Sequence, residues 1–349
     1  MVESTTREDQ VRAPISFSVG GHSRVIRCRM QTRTAMSKEK SRGKVREGPV
    51  LRLSLRTQEA IWGWVLAMPI ILGMLLWTLG PMVASAILSL MKWDLLTPPK
   101  WVGFANYVKM FTGDRLFWHS LKVTTLYALF RVPLGLAFGL AIALLMNQKL
   151  PGIYLFRTIY YLPSVLSGVA VALLWMWIFA PDFGLLNVVL WKLFRIKGPA
   201  WLFSEAWALP ALVIMSLWGV GGGMLICLGG LQGIPTELYE AAEIDGAGPL
   251  ARLTRITLPL MSPVLFFNLV QGIISALRVF TEAYVMTGGG PNYATHFYGL
   301  HIYTSAFTDF KMGYASALAW FLFLYILALT LLVFKSSPAW VYYEGRPRA

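Results

Sequence analysis

The most distinctive spacing of chemically active residues lies in a polar stretch, residues 231–263, between two long hydrophobic segments. Its charged side chains are four acidic and two basic: Glu237, Glu240, Glu243, Asp245, Arg252 and Arg255. This stretch therefore carries a net charge of −2 in a chain whose formal net charge is +14. An acidic loop on a basic protein indicates contact with a basic groove on a partner protein rather than with anionic lipid.

The same stretch carries the signals of a short helix. A helix is predicted to begin after Pro235, with Glu237 in its first turn, where an acidic side chain is favourable. Gly246 predicts its end, and a second short helix should follow before Pro259 and Pro263 lead into the next hydrophobic segment. We predict a helix–turn–helix that is too polar to enter a membrane.

The sequence lacks the common motifs for metal binding, catalysis and nucleotide binding. Cys28 and Cys227 show no metal-ligand spacing, and the four histidines form no His-x-x-x-His pattern, so we expect no metal site and no catalytic site. A phosphate-binding Gly-x-x-x-x-Gly-Lys-Ser/Thr loop does not occur in the sequence. The chain is therefore expected to bind no cofactor and to be no enzyme, and ATP hydrolysis would need another polypeptide.

Composition predicts the elements that hold the polar stretch. Only 14% of the 349 residues are charged and 56% are hydrophobic, whereas soluble domains carry roughly 25% charged residues. A bilayer core needs about 20 apolar residues in a helix. Six segments approach that length: residues 61–91, 118–147, 154–180, 207–230, 260–286 and 312–335. We predict an all-α integral membrane protein, a bundle of six transmembrane helices.

Several residues should interrupt this regular pattern. Pro69 and Pro81 could kink the first segment. Three successive glycines, residues 221–223, permit local unwinding or close helix approach in the fourth. The apolar run Phe183–Trp191 is too short to span a bilayer and suits an interfacial helix.

The two ends of the chain are predicted to be polar tails flanking a membrane domain at 59–336. Residues 1–58 are basic and should be mostly disordered or weakly helical on a membrane surface, with a start at Met1, Met30 or Met36. Thirteen of the 31 Lys and Arg lie in the first 56 residues, outside the hydrophobic part, which argues for a cytoplasmic flank and against nucleic-acid binding. An even number of spans places the tail at 337–349 on the same side, and the remaining charges leave the orientation open.

The polar stretch resembles the signature loop of the membrane subunits of binding-protein-dependent ABC importers. That pattern is Glu-Ala-Ala, three residues, Gly, nine residues, Ile-x-Leu-Pro, and every spacing is kept here. The resemblance implies a cytoplasmic coupling helix for an ATPase subunit and the type I importer permease fold. It assigns coupling to Glu240, Ala241, Ala242, Asp245, Gly246, Ile256, Leu258 and Pro259.

Flanking segments are similar to those of carbohydrate-uptake permeases of the maltose and glycerol-phosphate type: residues 229–235, 102–107 and 287–295. The resemblance implies a complex in the cytoplasmic membrane with a second related permease subunit, two ATPase subunits that hold ATP and Mg, and an extracytoplasmic solute-binding protein. The solute would be a sugar, a polyol or glycerol phosphate. A secondary transporter, the main rival class, would need carboxylates inside its spans, and this sequence has almost none.

Polar and aromatic residues of the fourth and fifth segments could line the solute path, because aromatic faces stack on sugar rings and polar groups bind hydroxyls. These are Ser216, Trp218, Gly222, Gln271, Ser275, Arg278, Phe280, Thr281 and Glu282. Structural roles compete with this interpretation. Trp218 could simply pack in the bundle, and Arg278 could pair with Glu282, one turn away. Arg131, in the second segment, could contact solute or pair with Glu282.

Overall fold

The computed structural model describes residues 54–148 and 150–342. The chain divides into two compact units, 1–68 and 69–349, and only residues 54–68 of the first are described. The prediction of a disordered tail at 1–58 falls mainly on residues outside the described part, as does the end of the tail predicted at 337–349. The structural description below concerns the second unit and the helix that leads into it.

Helices make up nearly all of the regular structure. In chain order they are α1 (Leu55–Ser89), α2 (Ala105–Thr112), α3 (Arg115–Met146), α4 (Ile153–Val165), α5 (Gly168–Ile178), α6 (Leu185–Phe194), α7 (Glu205–Trp218), α8 (Gly221–Gln232), α9 (Thr236–Ile244), α10 (Pro249–Leu277), α11 (Tyr298–Tyr303) and α12 (Met312–Trp340). π-helical turns occur at Leu75–Leu79, Leu253–Thr257, Ala283–Thr287 and Thr304–Thr308. Two short antiparallel strands, β1 (Met91–Lys92) and β2 (Lys100–Trp101), follow α1.

Four helices, α1, α3, α10 and α12, are long and apolar enough to cross a membrane. Two further apolar pairs are bent: α4 and α5 meet at 102°, and α7 and α8 meet at 46°. The described residues therefore contain up to six spans if each bent pair counts as one. The bend between α7 and α8 falls immediately before Gly221, where the run of glycines predicted an interruption. Helix α6 is separate and short, close to the apolar run expected at Phe183–Trp191.

Helix α3 is the centre of the bundle. Tyr127, Ala128 and Val132 on α3 belong to one buried cluster with Leu212 of α7 and Leu277 of α10. A second cluster joins the end of α3 at Met146 to α8 and α10, and a third surrounds its beginning. The 32 residues of α3 span about 48 Å, so its two ends mark two opposite ends of the bundle. The polar stretch 231–263 lies at the Met146 end, which we call the loop end.

The second short helix predicted after Gly248 is present at Pro249–Arg252. It is not separate from the fifth hydrophobic segment, because helical structure continues from it without a break to Leu277. A π-helical turn at Leu253–Thr257 precedes Pro259, and such a turn accommodates the lost amide donor.

The fifth helix also ends earlier than predicted, at Leu277 rather than at 286. The segment that follows packs closely against another part of the chain: a Cβ added at Gly299 would be 2.7 Å from the Val279 carbonyl oxygen. Arg278 and Glu282 are therefore not one turn apart on a continuous helix.

The end of α12 is fastened to α10 at the loop end. The backbone N–H of Tyr342 donates to Ser262 Oγ at 2.7 Å. Phe266 packs edge-on against Phe334 and Trp340, with ring centroids 4.9 and 5.9 Å apart. Helix α12 therefore extends four residues past the boundary predicted at 336.

Candidate functional site: an exposed acidic helix and a polar cavity

Helix α9 has the bounds that its sequence signals predict. Pro235 is extended, with ψ 132°, and Glu237 lies in the first turn. At the other end Gly246 adopts φ +76°, a conformation that favours glycine. This residue allows the amide of Ala247 to donate to the carbonyl of Ala242 at 2.8 Å, which closes the helix.

The two halves of the Glu-Ala-Ala motif region differ in exposure. Glu240, Ala241 and Asp245 are exposed on or next to α9, and Ile244 beside them is 87% exposed. The second half (Ile256, Leu258 and Pro259) is half-buried where α10 begins. The first half is therefore available to a partner, whereas the second half packs within the chain.

One hydrogen bond fastens α9 to α10. The hydroxyl of Tyr239 lies 2.9 Å from Thr257 Oγ1, and Thr257 is only 4% exposed. An ion pair between Arg252 and Glu243, 3.2 Å long, joins the same two elements. Because the Glu243 side chain is 72% exposed, this ion pair contributes little to stability. The part-buried Tyr239–Thr257 hydrogen bond is the firmer link between the exposed helix and the bundle.

A partly open cavity of about 300 Å³, lined by both polar and apolar residues, lies between α3, α7, α8 and α10, and Gln271 and Ser275 on its wall are exposed. Three of the residues predicted to line a solute path line it: Ser216, Gln271 and Ser275. Arg131 of α3 lines it as well. The bend between α7 and α8 adds backbone at Gly219 and Val220 to its wall.

The remaining predicted path residues lie outside this cavity. Trp218 packs against Trp175, with ring centroids 6.0 Å apart. Arg278 faces a separate, largely apolar pocket between α10 and α12. Phe280 stacks on Tyr284 at 5.4 Å. Gly222 has no side chain and does not line the cavity.

The ion pairs of the described part of the chain do not join Glu282 to Arg278 or to Arg131. Thr281, next to Glu282, lies beside Gly168 at the start of α5. These two residues thus belong to the segment after α10, between α5 and α11, rather than to the cavity wall.

Sequence reasoning missed Asn268, which is 8% exposed. Its Nδ2 donates to Cys227 Sγ at 3.3 Å and to the Gly223 carbonyl at 3.4 Å, and it lines the cavity. An amide side chain within a long apolar run was the available signal, because buried polar groups in a membrane need partners.

A second polar cluster lies at the opposite end of α3. Asp114 caps α3 by accepting from the amides of Leu116 and Phe117. It also accepts from Tyr314 at 2.6 Å and lies 2.9 Å from His301 Nε2. Burial raises the pKa of Asp114, but the hydrogen bond from Tyr314 and the charge and hydrogen bond of His301 outweigh it and hold the pKa below its ordinary value of 3.8. Asp114 thus joins α3, α11 and α12.

His296 adjoins this cluster and is 6% exposed. Its ring lies 5.6 Å from that of His301, and its Nε2 has no hydrogen-bond partner among the described residues. Burial, and then the neighbouring His301 and His119, lower the pKa of His296 from its ordinary value of 6.5 to about 4. His296 is therefore neutral at physiological pH.

A helical bundle with several apolar spans, a partly open cavity between them and an exposed acidic helix between two spans fits a membrane transport subunit. The chain belongs to the family described as "Binding-protein-dependent transport system inner membrane component", whose sequence model matches residues 135–338. The resemblance drawn from the motif is thereby confirmed, and the chain is a membrane subunit of a sugar ABC transporter.

Individual relatives agree with this assignment. The chain is 44% identical over 287 residues to the probable ABC transporter permease protein YesP of Bacillus subtilis, covering 81% of this chain and 93% of the relative. It is 34% identical to the trehalose/maltose transport system permease protein MalF of Thermococcus litoralis, covering 82% and 96%. A bacterial alginate ABC transporter shares the fold, with a TM-score of 0.71 at 24% identity, over 82% of this chain and 97% of that chain.

Proposed function

We propose that this chain forms one half of the solute path of an ATP-driven saccharide importer and that α9 is its coupling helix. A second related permease subunit would supply the other half. Two ATPase subunits would bind ATP and Mg, and an extracytoplasmic solute-binding protein would deliver the solute. The bundle would have six spans in the cytoplasmic membrane, with the loop end and both termini in the cytoplasm.

This proposal rests mainly on one observation: a hydrogen bond connects α9 to the helix that forms part of the cavity wall. Helix α9 is exposed, acidic and hydrogen-bonded through Tyr239 to Thr257. Thr257 lies on α10, the same helix that lines the cavity with Gln271 and Ser275. A groove that closes on α9 would therefore displace the cavity wall directly. Such a displacement suits alternating access, in which rigid elements rotate around a fixed solute site.

Relatives support the solute class. Two relatives that match this chain are named as permeases for trehalose/maltose and for lactose transport. The lactose permease, from Rhizobium radiobacter, is 32% identical over 82% of this chain. Hydroxyl and amide groups in the cavity suit a polyhydroxylated solute.

The coupling role is tested by reversing one charge on α9. We expect Glu240→Lys to abolish co-purification of the ATPase subunit or to reduce it at least tenfold, because Glu240 is exposed and would face a basic groove. Glu205→Lys, the same charge change on the exposed first turn of α7, is the matched control and should leave assembly unchanged. A Glu240→Lys complex that still assembles, with ATPase activity still stimulated by loaded binding protein, would disprove the coupling role.

A further inference from the structure

We infer that the solute of this importer is an anionic saccharide whose carboxylate, or an equivalent acidic group, binds Arg131 in the cavity. The inference rests on the proposed function, because it takes the cavity as part of the solute path. It adds the charge of the solute and the residue that recognises it.

Arg131 lies far from either end of its helix. It is the seventeenth residue of α3, about 24 Å along a helix about 48 Å long. A guanidinium at such depth is costly and normally pairs with an acid or faces a water-filled cavity. Arg131 lines the cavity, and the ion pairs found among the described residues do not include it. The Arg131 guanidinium lies over the Tyr127 ring, with Cζ 5.7 Å from the ring centroid.

No acidic side chain is among the described residues that line the cavity. Glu282 is near enough that its charge and that of Arg131 both act on the Tyr127 hydroxyl. Yet Glu282 neither lines the cavity nor pairs with Arg131. The cavity therefore has a positive charge without a balancing negative one in its wall, and a neutral sugar would leave that charge incompletely compensated.

The polar groups of the cavity differ in whether they already form hydrogen bonds within the protein. Ser216 and Ser275 donate to backbone carbonyls of their own helices at 2.6 and 3.0 Å, and Asn268 bonds to α8. Arg131 and Gln271, in contrast, have no hydrogen bond within the described residues. The guanidinium offers up to five donors in a planar fork that matches a carboxylate, and the amide of Gln271 suits a neighbouring hydroxyl. Together these two groups fit a sugar acid better than a neutral sugar.

Direct binding to the intact transporter tests this inference. The complex of both permease subunits and both ATPases, purified without nucleotide and without binding protein, is dialysed against one of two radiolabelled probes. One probe is a disaccharide of two hexuronic acids, and the other is the matching disaccharide of two neutral hexoses. We expect the diuronide to bind at least tenfold more tightly.

Arg131→Gln should weaken binding of the diuronide by about 10- to 100-fold, the range for loss of a charge-assisted hydrogen bond, and should leave binding of the neutral probe nearly unchanged. Arg131→Lys should restore part of the loss, because it restores the charge without the fork. Arg115→Gln, the same change on the exposed first turn of α3, is the control and should have no effect.

The inference is overturned if the neutral probe binds as tightly as the diuronide, if Arg131→Gln weakens both equally, or if neither binds. Failure here is separable from failure of the proposed function. One outcome would reject only the anionic solute: Glu240→Lys uncouples the ATPase, and the wild-type transporter imports a neutral sugar. The proposed importer function would then still hold. If Glu240→Lys leaves coupling intact, the coupling role of α9 is disproved, whichever of the two disaccharides binds more tightly.

Discussion

His296 provides a quantitative test of the packing at the end of the bundle opposite the loop end. Its imidazole is buried next to His301 and lacks a partner at Nε2, so the folded protein holds it neutral. In the unfolded chain the same ring accepts a proton near its ordinary pKa of 6.5, compared with about 4 in the fold. Between these two pH values the unfolded state binds more protons, and the free energy of unfolding must fall as the pH is lowered.

The size of the effect follows from the two pKa values. The full gap corresponds to about 3 kcal/mol, and the part lost between pH 7 and pH 5 is about 2 kcal/mol. For a protein of this size such a loss lowers the melting temperature by about 4 °C or somewhat more. Above about pH 7.5, one pH unit beyond the ordinary pKa, His296 should contribute almost no pH dependence.

The assay is thermal unfolding of the purified complex, followed by tryptophan fluorescence from pH 5 to pH 8, for the wild type and for His296→Phe. Phenylalanine keeps the ring volume and cannot be protonated, so the variant should lose about 4 °C less than the wild type on acidification to pH 5. Phe297→Leu, at the adjacent buried position, is the control: it should lower the melting temperature by a similar amount at every pH. A difference between wild type and His296→Phe that does not change with pH would refute the reasoning.

Two further predictions concern the loop end and the bend between α7 and α8. Tyr239→Phe removes the hydrogen bond to Thr257 and should weaken the attachment of α9 by about 1 kcal/mol; the ratio of solute-stimulated to basal ATPase activity should fall, and an unchanged ratio would mean that this bond transmits no force. Gly221→Ala would place a Cβ 2.5 Å from the Tyr160 carbonyl oxygen, so it should lower the melting temperature and the yield of assembled complex, whereas Gly222→Ala, with nothing within 4 Å, should be tolerated. Equal behaviour of the two alanine variants would contradict the close packing described for Gly221.

The sequence predicted helix boundaries correctly where a nearby proline, a nearby glycine or the end of an apolar run sets them. The apolar run 118–147 corresponds closely to α3, and Pro235 and Gly246 bracket α9 because both act on their own backbone. The break before Gly221 was foreseeable for the same reason. In each case the deciding interaction spans only a few residues.

Features set by distant contacts were not visible in the sequence. Helix α10 ends at Leu277 with no proline or glycine in the residues that follow it directly, and the chain beyond it packs at Val279 against the distant backbone of Gly299. The same limitation affected the solute path: Arg278 seemed a good candidate by type, but the packing of α10 turns it toward α12. Arg131 joins Gln271 only because α3 and α10 pack at that register.

The bond from the Tyr342 amide to Ser262, with the aromatic contacts of Phe266, means that α10 and α12 share one anchor at the loop end. A pull on the beginning of α10 cannot bend that helix alone, since it must carry the last turns of α12 with it. The two helices are therefore held together at this end. Under the proposed coupling, a displacement at the loop end would therefore move α10 and α12 together rather than slide one past the other.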